Sequence, residues 1–264
     1  MQYYIYKTKQ EMGAAAADKA IEIVKWTLGY KGNADIVHAT GASQFDVLAE
    51  LVPRYRHETD VSKLWFAHMD EYIHLPGGVE HRASFRKYLQ ERIADPLGLE
   101  PSQFLYVNGD AKDPKKECGR LNSIIGARDI DLIVMGFGEN GHVAFNDPPA
   151  DFATTDPYIV VNLDEKCRRQ QLGEGWFPSL DAVPKQAISM SVYQIMACRN
   201  IVCVVPDERK AEAVVNCIEG AISRMVPGSR LQEHPNAHIF LDAKAAMYLS
   251  RGEYGKPIEV RPNH

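Results

Sequence analysis

Leu132-Ile-Val-Met135 is an apolar run too short for a helix, and Gly136, Gly138 and Gly141 follow it closely. Such a run reads as a strand buried on both faces. The glycines end it in a tight loop at its carboxyl end. A strand covered on both faces needs helices above and below it, which an α/β architecture supplies. The rest of the chain alternates in that sense. Strands are expected over 3–6, 35–39, 61–69, 104–107, 158–163, 187–190, 201–205 and 237–241. Helices are expected over 9–29, after Ser43 as N-cap, and over 83–93, 113–125, 206–217 and 243–249. Ile21, Val24, Trp26 and Leu28 give the first helix its apolar face. The prediction is a Rossmann-like, mostly parallel sheet with helices on both faces. No repeat, low-complexity tract or linker interrupts it, so a single α/β domain over 1–264 is expected, with a loose polar tail from Gly252.

Composition excludes several function classes. The net charge is −5, with 45% hydrophobic and 25% charged residues, which gives no reason to expect nucleic acid or membrane as a partner. The five cysteines form no C-x-x-C pair, and no eighteen-residue apolar stretch occurs. A reducing, cytoplasmic setting is expected. The nine histidines are scattered and form no H-x-x-x-H or Cys/His cluster, so no zinc site is expected.

Three stretches carry chemistry. The loop after Met135 gathers Glu139, Asn140, His142 and Asp147. A histidine among carboxylates and amides can be held in one tautomer and used as a proton carrier near neutral pH. Asp70 and Glu71 end another apolar run, where adjacent acids are costly unless solvated, paired or used. Thr40-Gly-Ala-Ser-Gln44 joins a strand to a helix, an arrangement that can offer backbone N–H groups to a phosphate. It lacks a Walker ending, and taken alone it is an ordinary βα turn.

Together these stretches resemble one family. His68-Met-Asp-Glu-Tyr72 with Leu75-Pro76, Gly138-Glu-Asn-Gly-His-Val-Ala-Phe-Asn-Asp-Pro148, Leu231-Gln-Glu-His-Pro235 and the helix bearing Lys210 are similar to motifs of the glucosamine-6-phosphate deaminases (isomerases), in the same order. The resemblance implies a glucosamine-6-phosphate isomerase-like fold and cofactor-free, metal-free conversion of glucosamine 6-phosphate to fructose 6-phosphate and ammonia. It implies that His142 assists ring opening and that Asp70 moves a proton between C2 and C1. Asp147 and Asn140 would serve His142, with Glu71 and Gly141 in support. Gly41, Ala42, Ser43 and Lys210 would hold the phosphate. A small sugar phosphate is the expected partner, and self-association is left open.

The chain departs from the family pattern at three positions. Asn140 stands where aspartate is usual and Asp147 where glutamate is usual. Gln171 stands near the place of a phosphate-binding arginine, for which Arg168 or Arg169 would have to substitute. These departures keep three alternatives in view. One is a galactosamine-6-phosphate or other hexosamine-phosphate isomerase. The second is a 6-phosphogluconolactonase-like hydrolase, against which the Met-Asp-Glu-Tyr segment speaks. The third is a non-catalytic sugar-phosphate-binding protein. Family members activated by N-acetylglucosamine 6-phosphate carry basic residues near the positions of Pro157 and Ile159, whose side chains cannot bind phosphate. Hyperbolic kinetics that do not respond to the N-acetyl sugar are therefore expected, and a sigmoidal titration made hyperbolic by it would contradict this.

Overall fold

The computed structural model describes residues 1–262. The amino-terminal half runs β1 (Gln2–Tyr6), α1 (Lys9–Lys31), β2 (Ala34–His38), α2 (Phe45–Glu58), β3 (Leu64–His68), β4 (Asp70–Tyr72), α3 (Phe85–Leu89), α4 (Asp95–Leu97), β5 (Phe104–Leu105) and α5 (Pro114–Gly126). The second half runs β6 (Leu132–Met135), β7 (Tyr158–Asn162), α6 (Glu165–Gly173), β8 (Gln186–Met190), α7 (Val192–Ala197), β9 (Ile201–Val205), α8 (Ala211–Ile218), β10 (Ala237–Asp242) and β11 (Ile258–Glu259). Eight strands form one sheet in the order β11-β1-β10-β9-β6-β2-β3-β5, parallel except for the β1–β11 edge pair.

The pleat explains why the inner strands are apolar throughout. Leu132 and Val134 of β6, with Val202 and Val204 of β9, face α1 and α2 through Met12, Val24, Val47 and Leu51. Ile133 and Met135, with Cys203 and Val205, face α5 and α8 through Leu121, Ile125, Val214 and Cys217. Period-2 alternation thus feeds two cores, one on each side of the sheet. None of the helices among the described residues is long and apolar enough to cross a membrane.

Several expectations are corrected. The expected strands 158–163 and 187–190 do not join the large sheet, and 70–72 pairs with them. They form a separate antiparallel sheet in the order β4-β8-β7. Their exposure pattern is mixed on β7, as for a sheet covered on one side. Ser43 does not cap α2. It lies inside a 3-10 turn, Ala42–Gln44, and its hydroxyl meets Lys210 instead of a backbone N–H. Residues 243–249 run as turns rather than a helix, with the Asp242 carboxylate accepting from Ala245 N. The tail from Gly252 is not free, because β11 completes the edge strand β1, pairing Ile258 with Tyr3. Trp26 is 64% exposed and stacks on Tyr30 at 5.5 Å, so it is no part of the inner face of α1.

The α1–α2 contact is close enough to invert a general rule. A Cβ on Gly13 would sit 2.8 Å from Asp46 C and Cβ, whereas one on Gly29 in the same helix would meet nothing. Alanine is otherwise favoured over glycine inside a helix by about 0.5–1 kcal/mol. Gly29→Ala should therefore raise the melting temperature. Gly13→Ala should lower it, at a cost of about 1–3 kcal/mol for forced repacking. Thermal unfolding of the two variants checks this, and stabilisation by both would contradict the packing described.

Candidate active site

Strands leave β6 in both directions, β2, β3 and β5 on one side and β9, β10 and β1 on the other. At such a reversal the loops beyond the strand ends part and leave a crevice. Here a cleft opens among the loops after β2, β3, β6 and β9, and α6 covers its side. Gly41, Ala42, Ser43, Asp70, His142 and Lys210 all line it. Asn140, Gly141 and Asp147 stand behind His142, outside the lining, and Glu71 faces away from it.

The cleft brings a backbone turn and a buried lysine together. Gly41 has φ +96 and opens the Ala42–Gln44 turn, which leads directly into the N-terminus of α2. Lys210 follows β9, is 6% exposed, and reaches across to this turn. Its Nζ donates to Ser43 Oγ at 2.7 Å and to Phe137 O at 2.6 Å. An ammonium has three hydrogens, so one remains for a ligand. Burial lowers the Lys210 pKa, and Glu174 is the first of the charges that oppose this.

Asp70 also lines the cleft, where the chain leaves β3 and enters the small sheet opposite Ser189. Asp70 is 6% exposed. Burial, and then the charge of Glu71, push its carboxyl up to about 8. Alternation along β4 turns Glu71 to the opposite side. There its carboxylate accepts from Ser84 Oγ at 3.0 Å, Arg86 N at 2.8 Å and Tyr72 N at 2.9 Å. Burial raises Glu71 to about 7 against these bonds. Glu71 thus ties α3 to β4, and Asp70 is the carboxyl group left facing the cleft.

The imidazole is fixed by the loop after β6. Gly141 has φ +80, and Ala144 follows at φ +49, a left-handed conformation that reverses the chain so that Asn146 N donates to Val143 O. The reversal returns Asp147 to His142, with Nδ1 3.0 Å from Asp147 Oδ1 at an angle short of an ideal hydrogen bond. A Cβ on Gly138 would fall 2.2–2.5 Å from the ring atoms Cε1, Nε2 and Cδ2, so glycine is needed there for the ring to lie flat against the loop. Asn140 holds the assembly together: Nδ2 donates to Asp147 Oδ1 at 3.0 Å and Asp164 Oδ2 at 3.2 Å, and Oδ1 accepts from His142 N at 3.1 Å. Asp164 N donates to Asp147 Oδ2 at 2.9 Å. Burial pushes the Asp147 carboxyl up, but His142, Asn140 and Asp164 N together hold it below the ordinary range.

Some participants were not singled out from sequence. Asp164, Cys167, Gln170 and Glu174 all belong to α6 or its cap, and Gln170, Gln171 and Glu174 share one face by their i, i+1, i+4 spacing. Cys167 Sγ lies with His142 and Asp147 in a cluster whose ligand atoms are within 4.8 Å of one another. Burial, then the charges of Asp147 and Asp164, keep the thiol well above its usual pKa, which makes it a poor metal ligand at neutral pH. Gln171 is buried, and its Oε1 accepts from Tyr72 OH at 2.8 Å. The two nearby arginines do not replace the family's phosphate ligand. Arg168 spends its guanidinium on Leu180 O and Val183 O, and Arg169 pairs with Glu165 on the exposed face.

A family model described as glucosamine-6-phosphate isomerases/6-phosphogluconolactonase matches residues 7–240. Glucosamine-6-phosphate deaminases of Bacillus thuringiensis (strain Al Hakam) and Bacillus anthracis (strain A0248) are 35% identical over 251 residues, covering 95% of this chain and 90% of theirs. The structure of a monomeric glucosamine-6-phosphate deaminase superposes with a TM-score of 0.85 at 29% identity, covering 94% of this chain and 99% of that one. A 6-phosphogluconolactonase from Trypanosoma brucei gives 0.72 at 17% identity, covering 94% and 98%, a likeness of fold alone.

The buried Asp70 has a consequence for stability. Its folded pKa of about 8 lies above the unfolded value, so its contribution is full below about pH 3.9 and is lost as pH rises through about 8. Asp70→Asn carries no such loss. The melting temperature of the variant should exceed that of the wild type by an amount that grows from pH 5 to about 8 and then levels off. A difference that shrinks with pH would contradict the burial argument.

Proposed function

The chain belongs to the glucosamine-6-phosphate isomerase and 6-phosphogluconolactonase family, and within it we propose a deaminase that turns glucosamine 6-phosphate and water into fructose 6-phosphate and ammonia. One observation carries this reading. A carboxyl group, Asp70, and a carboxylate-backed imidazole, His142, line one cleft together with the Gly41–Ser43 turn and Lys210. The described chain would act as a single domain, since β2, β3, β6 and β9 all deliver residues to that cleft.

In this reading the phosphate lies on the Gly41–Ser43 backbone and the free hydrogen of Lys210. Gly41 allows the backbone to approach, and Ser43 holds the ammonium in place. With Nδ1 of His142 turned to Asp147, Nε2 is the nitrogen left for substrate. It takes the proton of the C1 hydroxyl and returns one to the ring oxygen, which opens the pyranose. Asp70 as carboxylate removes the C2 proton as O1 gains one from solvent, giving an enolamine, and then returns its proton to C1 as the nitrogen gives one up to solvent, giving a C2 imine. Water adds to the imine carbon, and ammonia leaves from C2. Asn140 and Asp147 position His142, and Glu71 and Gly141 keep the two walls in register. All the steps are proton transfers and hydrolysis, for which positioned side chains suffice.

The test is ammonia release from glucosamine 6-phosphate, with galactosamine 6-phosphate and phosphogluconolactone as parallel substrates. Asp70→Asn should lower kcat by about 10²–10⁴, the ordinary worth of one acid–base group. Because only the deprotonated Asp70 can accept a proton, kcat/KM of the wild type should rise with pH toward about 8. Release from galactosamine 6-phosphate alone would reassign the sugar, and lactone hydrolysis without ammonia would reassign the reaction.

A further inference from the structure

The anion-holding end of the cleft contains a carboxylate as well as a cation. Glu174, on the turn just after α6, lines the cleft. Its carboxylate is held by two donors, Gln170 Nε2 at 2.9 Å and Trp176 Nε1 at 3.1 Å. Gln170 is itself anchored, because its Oε1 accepts from Glu139 N at 3.0 Å. The network aims Glu174 Oε2 at the phosphate loop, 4.0 Å from the position of a Cβ on Gly41. Among the described residues that line the cleft, Lys210 is the single lysine or arginine. The side chains at this end thus offer one positive and one negative charge.

A phosphate ester carries close to two charges above its second pKa of about 6, and one below it. A dianion here would meet Lys210 and the loop N–H groups, but it would also face Glu174 across a few ångströms of partly desolvated space, where repulsion is strong. A monoanion would keep the attraction and would have a P–OH to donate to the carboxylate. Resting on the deaminase reading above, we propose that Glu174 is a specificity-determining residue that makes this cleft take the sugar phosphate as its monoanion. The P–OH donates to Glu174, and the remaining oxygens accept from Lys210 and the turn.

Other charges act on this end. Glu139 and Arg209, paired at 3.6 Å, lie farther out and oppose each other in their effect on Lys210. Tyr88 reaches the loop from α3, its OH donating to Gly41 O at 3.1 Å. Asp70 lines the same cleft, and its raised pKa influences any pH profile of the wild type. The informative quantity is therefore a ratio between variants that share those groups.

The experiment compares wild type with Glu174→Gln, which keeps shape and one acceptor while removing the charge. KM for glucosamine 6-phosphate is measured across pH by ammonia release. The ratio of wild-type to variant KM should be near unity at about pH 5.5 and rise to about tenfold or more by about pH 8, following the phosphate titration, with the change carried by KM rather than kcat. A purely structural role for Glu174 would give a ratio that does not change with pH, and that result would overturn the proposal. Calorimetric titration of both proteins with glucosamine 6-phosphate and with inorganic phosphate reads the same ratio in Kd without turnover. Absence of ammonia release would thus overturn the deaminase reading, while the calorimetric ratio would still decide the role of Glu174.

Discussion

The Asp147 carboxylate is the point to which the rest of the site is tied. It faces the His142 ring, and it accepts from the Asn140 amide and from Asp164 N. The first two groups belong to the loop after β6, the centre of the large sheet. The third caps α6, which lies between β7 and β8 of the small sheet. One carboxylate therefore joins the two sheets and sets the imidazole at the same time. A buried charge is costly unless its lone pairs are filled, and here the filling is also what fixes the geometry.

The acids of β4 follow the same logic with the opposite outcome. Glu71 has three donors and is spent on holding α3 in place, yet burial still raises it. Asp70 gains a raised pKa from burial and from its neighbour. Two adjacent carboxyls on a short strand point to opposite sides, so one can be structural while the other faces substrate. The instability of Asp70 as an anion is what makes it a stronger base than an exposed aspartate once its proton is gone.

How much of this was legible in the sequence depended on the kind of strand. Leu132–Met135 and Ile201–Val205 are continuous apolar runs, and full burial in a parallel sheet leaves that mark. Asp70–Tyr72 leaves none: it is short, holds two acids, and pairs with β8 only because the chain turns out of the large sheet there. Asp70 and His142 could be picked out because each follows a strand of the large sheet, whereas Lys210 stood out only through the family resemblance. Glu174, Gln170 and Cys167 could not, since nothing local says which face of α6 meets the cleft. Trp26 misled for a related reason, because an apolar residue near a helical stripe is not always inside it.

The two departures around His142 make sense as a pair. An aspartate at 140 could not donate, so it would set a third carboxylate beside Asp147 and Asp164 where the amide now donates to both. Asparagine removes that repulsion and supplies the hydrogen that Asp147 Oδ1 accepts. The shorter Asp147 in turn depends on the loop reversal at Ala144 to come within 3.0 Å of the ring. A longer glutamate in the same backbone would have to bend or move away from Asn140 and Asp164 N, giving up bonds that hold its pKa down. The amide at 140 and the short carboxylate at 147 thus keep one anion behind the imidazole. That single anion is what a histidine needs in order to carry a proton and remain in one tautomer.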